Sequence, residues 1–501
     1  MPLIIYNTLN RRKQPFEPIE AGKVRMYVCG VTVYDYCHLG HARSYIVWDT
    51  VRRYLQWQGF EVRYVQNFTD IDDKIIRRSQ EEKQPWQTIT QTYIDAYLED
   101  LGRLNVMPAD TYPKATEVVP QIIDLIKRLI DQGYAYAAQG DVYYAVERFP
   151  SYGKLSGRKL EQMAAGASGR VEEDAEVKKH HPLDFALWKA AKPGEPEWDS
   201  PWGKGRPGWH IECSAMVQEL FGKDFGEAAV LSDNSAPTAC IDIHTGGEDL
   251  VFPHHENEIA QSEAAIAKPL ANYWLHNGFV KIRGDKMSKS LKNFTTIRAL
   301  LENTAPMVVR LFVLQAHYRS PIDFTDAAIA AAENGWQTLK EALGAVTQFA
   351  QLPGWLTNLT DAPKSLDQTA VDRFNAAMDD DFNTPVALSV LFELAKDLRR
   401  ESNVLIHEGK TETPLELLQQ QWQTLVSLCL VLGLDAQFDA PTETKTSQGL
   451  TDAEIEVLIQ QRLAARKAKN FAEGDRIRNQ LKEQGITLID QAGGITRWHR
   501  D

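Results

Sequence analysis

Residues 24–30 (VRMYVCG) are short, largely apolar and rich in β-branched and aromatic side chains, the pattern of a buried strand. After a loop, residues 42–60 place Ile46, Val47, Thr50, Val51, Tyr54 and Leu55 at helical spacing. Strand, loop and helix in that order open an α/β domain. A second strand in 61–65 and a long helical stretch around 117–131 predict βαβ units on a parallel sheet. Between 133 and 207 glycines and prolines multiply, Trp188, Trp198 and Trp202 follow no period, and the segment reads as an irregular insertion. The α/β character returns in 209–220 and 279–282, and helical periodicity dominates from 326 to 434. A polar run, 440–449 (APTETKTSQG), has linker composition and sets off a small terminal unit.

At 501 residues the chain exceeds one core and predicts several domains. No apolar run reaches the length of a membrane span, and the first residues (MPLIIYNTLNRRKQ) put the apolar patch before the basic ones, the reverse of a secretory signal. Cys29, Cys37, Cys213, Cys240 and Cys429 are few and scattered, which favours reduced thiols or metal ligands over a disulfide framework. A soluble, cytoplasmic protein is expected. The net charge of −13 means that a polyanionic partner must be met by a local basic patch.

Past the first strand, His38-Leu39-Gly40-His41 stands at the mouth of the following helix. Helix amino termini carry unpaired N–H groups and positive partial charge, and imidazole N–H groups add donors, so the place suits a phosphate. Read alone, the two histidines serve equally well as caps. Far downstream, Lys286-Met287-Ser288-Lys289-Ser290 sets two lysines around small hydroxyl residues, suited to charge that accumulates as pyrophosphate departs. An HxGH after the first strand paired with a KMSKS loop after the last resembles the signature of class I aminoacyl-tRNA synthetases. The resemblance implies a Rossmann-type catalytic domain with an inserted connective domain. It implies that His38 and His41 stabilise the phosphates during attack on the α-phosphorus, and Lys286 and Lys289 the leaving pyrophosphate.

Three segments hold good zinc ligands: Cys29, 208–213 (GWHIEC) and 252–258 (FPHHENE), where His254 and Glu258 share a helix face. Taken singly, either cysteine also suits plain core packing. With 152–156 (YGKLS) and 182–189 (PLDFALWK), these segments resemble the cysteinyl-tRNA synthetase family nearly end to end. That resemblance implies one Zn2+ per chain on Cys29, Cys213, His254 and Glu258, with His255 and Glu256 as orienting neighbours. The substrate thiolate would join the metal, so that sulfur is told from the oxygen of serine in one step. It further implies cysteine contacts at Cys29, Thr69 and Trp209. ATP, with its Mg2+, would meet Gly30, Thr32, His38, Gly40, His41, Gly246, Gly247, Asp249 and Lys289.

On the same basis the expected organisation is a catalytic domain in two halves, 1–132 and 208–300, split by the insertion at 133–207. A stem-contact junction (301–325), a tRNA-binding helical bundle (326–439), a linker (440–450) and an anticodon-binding module (451–501) complete it. In that module Arg462, Arg466, Lys467, Lys469, Arg476, Arg478 and Lys482 would meet phosphates and Trp498 would stack on an unpaired base. tRNA(Cys), ATP and L-cysteine are the implied partners of a monomer. Two departures stand out. The family's His-Gly-Gly-Gly run reads His244-Thr245-Gly246-Gly247, and residues 226–240 look like an insertion that leaves Cys240 on a surface loop. An ATP-dependent ligase joining cysteine to an amino sugar shares both signatures and the zinc ligands, and is the rival reading; it has no need of the helical and basic carboxyl-terminal half.

Overall fold

The structure, a computed structural model, describes residues 2–160, 178–222, 239–282, 285–286, 294–355, 366–439, 452–490 and 496–500. A hairpin of β1 (Ile4–Asn7) and β2 (Arg12–Pro15) precedes β3 (Lys23–Thr32), α1 (Leu39–Trp57) and β4 (Glu61–Thr69). There follow α2 (Asp73–Glu82), α3 (Trp86–Arg103), α4 (Val119–Asp131), β5 (Ala135–Ala138), β6 (Asp141–Tyr144), β7 (Phe185–Ala190) and β8 (Gly205–Pro207). Next come α5 (Trp209–Phe221), β9 (Ile241–Gly247), α6 (Glu256–Ile266), β10 (Ala271–Asn277), β11 (Val280–Ile282), β12 (Asp285–Lys286) and β13 (Ile322–Phe324). The central sheet runs β10-β9-β3-β4, all parallel, as the βαβ pattern predicts.

The segment that reads as irregular is a four-stranded antiparallel sheet, β5-β6-β7-β8. Its strands are three to six residues long, too short to stand out against the turn residues between them. Its described core residues are shared: Val142, Tyr144, Leu187 and Trp188 pack in one cluster with Ile122 and Leu129 of α4 and Ile211 and Met216 of α5. At about 1.5–3 kcal/mol for each large apolar side chain, that shared burial seats the insertion firmly on the parallel sheet.

An ion cluster adds to the seating. Asp73, which opens α2, receives Lys189 Nζ of β7 at 2.8 Å and the guanidinium of buried Arg206 in β8. Burial raises the Asp73 carboxyl, and the charges of Arg206 and Lys189 outweigh it and hold the group down at about 2. A carboxylate depressed below its unfolded value, about 3.9, stabilises the fold above that pH and loses the contribution as pH falls through its folded value. The unfolding free energies of the native chain and of Asp73→Asn, measured in urea, are therefore expected to differ by on the order of 2 kcal/mol at pH 6 and to converge towards pH 2. A gap that stays constant would remove the ion cluster from this account.

Cys240 corrects the expected surface loop. It is 5% exposed, its N–H donates to Pro269 O at 3.1 Å where β9 starts to run beside β10, and burial pushes its thiol up to about 11. Residues 226–238 of the expected insertion lie outside the described residues.

The chain clusters into two compact units. One comprises Met1–Trp336, Thr369–Val390 and Leu428–Phe438; the other, Gln337–Gln368, Leu391–Ser427 and Asp439–Asp501. Within the first, fully buried Arg310 donates to the carbonyls of Leu432 (2.7 Å), Leu104 (3.1 Å) and Asn105 (3.0 Å) and pairs with buried Asp49. Tyr54 OH donates to Asp379 Oδ1 at 2.6 Å. Within the second, Trp422 Nε1 donates to Leu343 O at 3.0 Å. At the end of the chain, helices at Asp452–Lys467 and Phe471–Glu483 and an antiparallel hairpin (Ile486–Asp490, Thr496–Arg500) enclose Ile455, Ile459, Ile477, Leu481, Ile486 and Leu488. Arg462 is buried and donates to Thr496 Oγ1 at 3.4 Å, and Trp498 packs partly on this core with its Nε1 donating to Glu456 Oε2 at 3.3 Å. Arg466, Lys467, Lys469, Arg476, Arg478 and Lys482 are exposed. No described helix is long and apolar enough to cross a membrane.

Candidate metal and nucleotide site

His38 is the N-cap of α1, with extended backbone. Its Nδ1 accepts from the Gly40 N–H at 3.1 Å while its own N–H donates to His41 Nδ1 at 3.1 Å. This is a reciprocal cap built from two imidazoles, stacked with centroids 3.9 Å apart. Because each Nδ1 accepts, each neutral ring carries its N–H on Nε2. A Cβ at Gly40 would lie 2.8 Å from His38 Cε1 and push the capping ring aside. The first turn of α1 holds no acidic residue, so its positive end is not neutralised from within the helix. Capping and phosphate binding thus use different nitrogens of the same rings and are compatible.

The chain leaving the lysine loop returns to this turn. Leu39 N–H donates to Thr295 O at 3.1 Å, Ile297 N–H donates to Cys37 O at 2.9 Å, and the Phe294 ring lies 6.3 Å from that of His38. On the near side, the backbone of Lys286 ends β12 and pairs with Lys281. Lys289, with the rest of 287–293, lies outside the described residues. Arg43, two residues past His41 and buried, donates to Phe279 O (2.5 Å), Tyr318 O (3.1 Å) and Ser320 O, tying α1 to the roots of β11 and β13.

Around this turn, Thr32 ends β3 opposite Thr69. Gly30 lies inside β3, where a Cβ would collide with the Asn67 carbonyl and where the β3–β4 register slips, so the sheet itself demands the glycine. Gly247 and exposed Asp249 form the turn after β9. Thr245, the departure from the glycine run, sits within β9 between Val28 and Leu275, fully buried and with no partner for its hydroxyl.

Four donors converge beneath: Cys29 of β3, Cys213 of α5, His254 in the wide turn Val251–His255, and Glu258 of α6. All are buried and their ligand atoms lie within 4.8 Å of one another. Cys29 Sγ is 3.6 Å from Glu258 Oε1, Cys213 Sγ 3.6 Å from His254 Nε2, and His254 Nε2 3.1 Å from Glu258 Oε1. Ligand bonds of about 2.0–2.3 Å to a tetrahedral ion set edges of about 3.3–3.8 Å, so the donors fit a zinc-sized cation. Burial, then Cys213 and Glu258, drive the Cys29 thiol well above its ordinary value. Contact with Cys29 lowers the Cys213 thiol, but burial and the charges of Glu258 and Glu212 carry it up. A dication reverses both shifts, which is why such a set suits a metal.

The surroundings are ordered. His254 Nδ1 lies 2.9 Å from His210 Nδ1, and Trp209 stacks on His254 at 4.2 Å. Thr69 Oγ1 donates to Glu212 Oε2 at 3.0 Å, joining β4 to α5. His244 Nε2 is 2.8 Å from Glu258 Oε2, and His255 Nε2 3.2 Å from Cys29 Sγ. His255 Nδ1 meets His276 Nε2 at 2.8 Å, and His276 Nδ1 meets Thr8 Oγ1 at 2.9 Å. Burial and neighbouring imidazoles hold both neutral, His276 down to about 3. Glu256, by contrast, accepts from the N–H groups of Leu155 (3.3 Å) and Ser156 (2.7 Å) and fastens the insertion to α6. A cavity of about 280 Å³ opens beside Trp209, walled by Glu212, Asp73, Lys189 and Arg206. His210 and His276 escape a reading of the sequence: the first hides between two stronger motif residues, and the second is a lone histidine in an apolar strand.

Residues 15–334 match the family described as tRNA synthetases class I (C) catalytic domain, and residues 373–437 match the DALR domain. The chain is 61% identical to the cysteine--tRNA ligase of Gloeothece citriformis over 502 residues and to that of a Nostoc species over 509, covering all of each chain. Among solved structures, a Mycobacterium tuberculosis methionyl-tRNA synthetase with methionyl-adenylate aligns with a TM-score of 0.53 at 17% identity, over 82% of this chain and 89% of that one. An Agrobacterium radiobacter LeuRS–tRNA–LeuAMS complex aligns with a TM-score of 0.54 at 11% identity, over 85% and 87%; at these identities the likeness is one of fold. Because the 61% identity runs through the helical carboxyl-terminal half as well as the catalytic sheet, the chain belongs to the cysteine--tRNA ligases, within the class I aminoacyl-tRNA synthetases.

Proposed function

We propose that this ligase selects its amino acid through one Zn2+ held by Cys29, Cys213, His254 and Glu258, and forms the adenylate at the imidazole-capped end of α1. The observation that carries the reading is the convergence of four buried donor side chains on one point. When bound, zinc supplies a soft Lewis acid that holds a thiolate strongly and a neutral hydroxyl weakly. His210 and the Trp209 ring keep the His254 imidazole in place. Thr69 and Trp209 flank the amino acid, and Cys29 contacts it through the shared metal. His38 and His41 donate from Nε2 to the α-phosphate as charge develops, and Lys286 and Lys289 neutralise the departing pyrophosphate with its Mg2+. Gly30, Thr32, Gly40, Gly247 and Asp249 line the rest of the ATP site. The exposed basic residues of the terminal module meet the phosphates of tRNA(Cys).

The test is ATP-dependent transfer of labelled cysteine to tRNA with labelled serine in parallel, before and after dialysis against a chelator. Removal of the metal is expected to cut cysteine-dependent pyrophosphate exchange by about 10²–10³-fold, the several kcal/mol a metal contact contributes. Exchange that survives in demonstrably zinc-free protein would sink the metal-selection reading.

A further inference from the structure

The same pocket holds a second complete donor set. Cys29, His244, His255 and Glu258 are all buried, with ligand atoms within 4.8 Å of one another, and they share Cys29 and Glu258 with the first set. His255 Nε2 lies 3.2 Å from Cys29 Sγ and 3.9 Å from Glu258 Oε1, close to the edges set by a zinc-sized ion, and His244 Nε2 lies at hydrogen-bond distance, 2.8 Å, from Glu258 Oε2. Outer contacts prepare His255 as they prepare His254. With its Nδ1–H given to His276, and His276 Nδ1–H given in turn to Thr8 Oγ1, the Nε2 lone pair of His255 faces Cys29. His244 has no partner on Nδ1, so nothing on the far side of the ring fixes its tautomer, and Nε2 can turn from donor to Glu258 into donor of a lone pair to a cation.

We propose that Cys29, His244, His255 and Glu258 form an alternative seat for the same zinc ion, which keeps the metal in the pocket when Cys213 or His254 is lost. The proposal rests on the zinc reading above. Because the two seats share two ligands they hold one ion between them, and the alternative seat has one thiolate where the first has two.

The full-length chain, Cys213→Ala, His255→Ala and the double variant are loaded with Zn2+ or Co2+, passed through gel filtration and analysed for bound metal, with circular dichroism as the check on folding. About one ion per chain is expected in the native protein and in each single variant, with affinity in Cys213→Ala reduced about 10–100-fold, and loss of the ion in the double variant. In the cobalt form of Cys213→Ala, tetrahedral bands should persist while thiolate charge-transfer absorption falls to about half. Folded Cys213→Ala without metal, or a double variant that binds as well as Cys213→Ala, would overturn the alternative seat and leave the zinc reading intact. Absence of metal from the native chain would overturn the zinc reading itself. Should Cys213→Ala fail to fold, His254→Ala poses the same question, with the native two-thiolate absorption retained only if the ion keeps its first seat.

Discussion

Asparagine in place of His38 is expected to slow cysteine-dependent pyrophosphate exchange by about 10²–10³-fold, the usual cost of one donor to developing transition-state charge, with the melting temperature almost unmoved. The separation is possible because the two duties of the ring fall on different atoms. Nδ1 caps α1 by accepting from Gly40, and an asparagine side chain accepts there equally well. Nε2–H has no counterpart in asparagine at that reach. His38→Ala removes both and should add about 1 kcal/mol of destabilisation to the same loss of rate. Near-native exchange in the asparagine variant would reduce His38 to a cap and nothing more.

Arg310→Met should produce the largest loss of stability, about 3–5 kcal/mol, because it strands a buried carboxylate as well as three carbonyls. Asp49 keeps the Arg53 Nε at 2.8 Å and the Met107 N–H at 3.0 Å, which places the expectation at the lower end of that range. At about 1–1.5 °C per kcal/mol for a unit of this size, thermal unfolding should fall by roughly 5 °C. Adding Asp49→Asn removes the stranded charge and should recover part of the deficit. A double variant no more stable than Arg310→Met would show that the carbonyls, not the ion pair, carry the energy.

How far residues alone reveal this molecule depends on whether a signal is local. The β3–α1–β4 opening is legible because apolar spacing is a property of neighbours in sequence, and Cys29, Cys213, His254 and Glu258 are legible because the motifs around them resemble a known family. The contacts that orient those residues are not legible in the same way. His276 reaches His255 only through sheet register, and Arg206 reaches Asp73 only once the insertion is folded onto the parallel sheet. Cys240 misleads for a related reason: it borders a segment that looks inserted, yet a strand that begins one residue later draws it into the core. The insertion hides its sheet because each strand is shorter than the window in which a period can be recognised.

The three-part makeup of the catalytic unit has a consequence for synthesis on the ribosome. Its sheet, both signature motifs and the four-donor cluster precede Trp336, but Leu428–Phe438 belongs to the same unit and supplies the Leu432 carbonyl that receives Arg310. At about 5–20 residues per second, roughly 5–20 s separate emergence of the first stretch from emergence of the last. A chain ending at residue 427 is accordingly expected to unfold less cooperatively and to need a chaperone for solubility, measurable by limited proteolysis of stalled nascent chains. Protection equal to that of the finished protein would contradict it. For that interval a nearly complete active site would sit on an unfinished scaffold, so cysteine or ATP binding can select well-folded nascent chains only after the helical segments have followed.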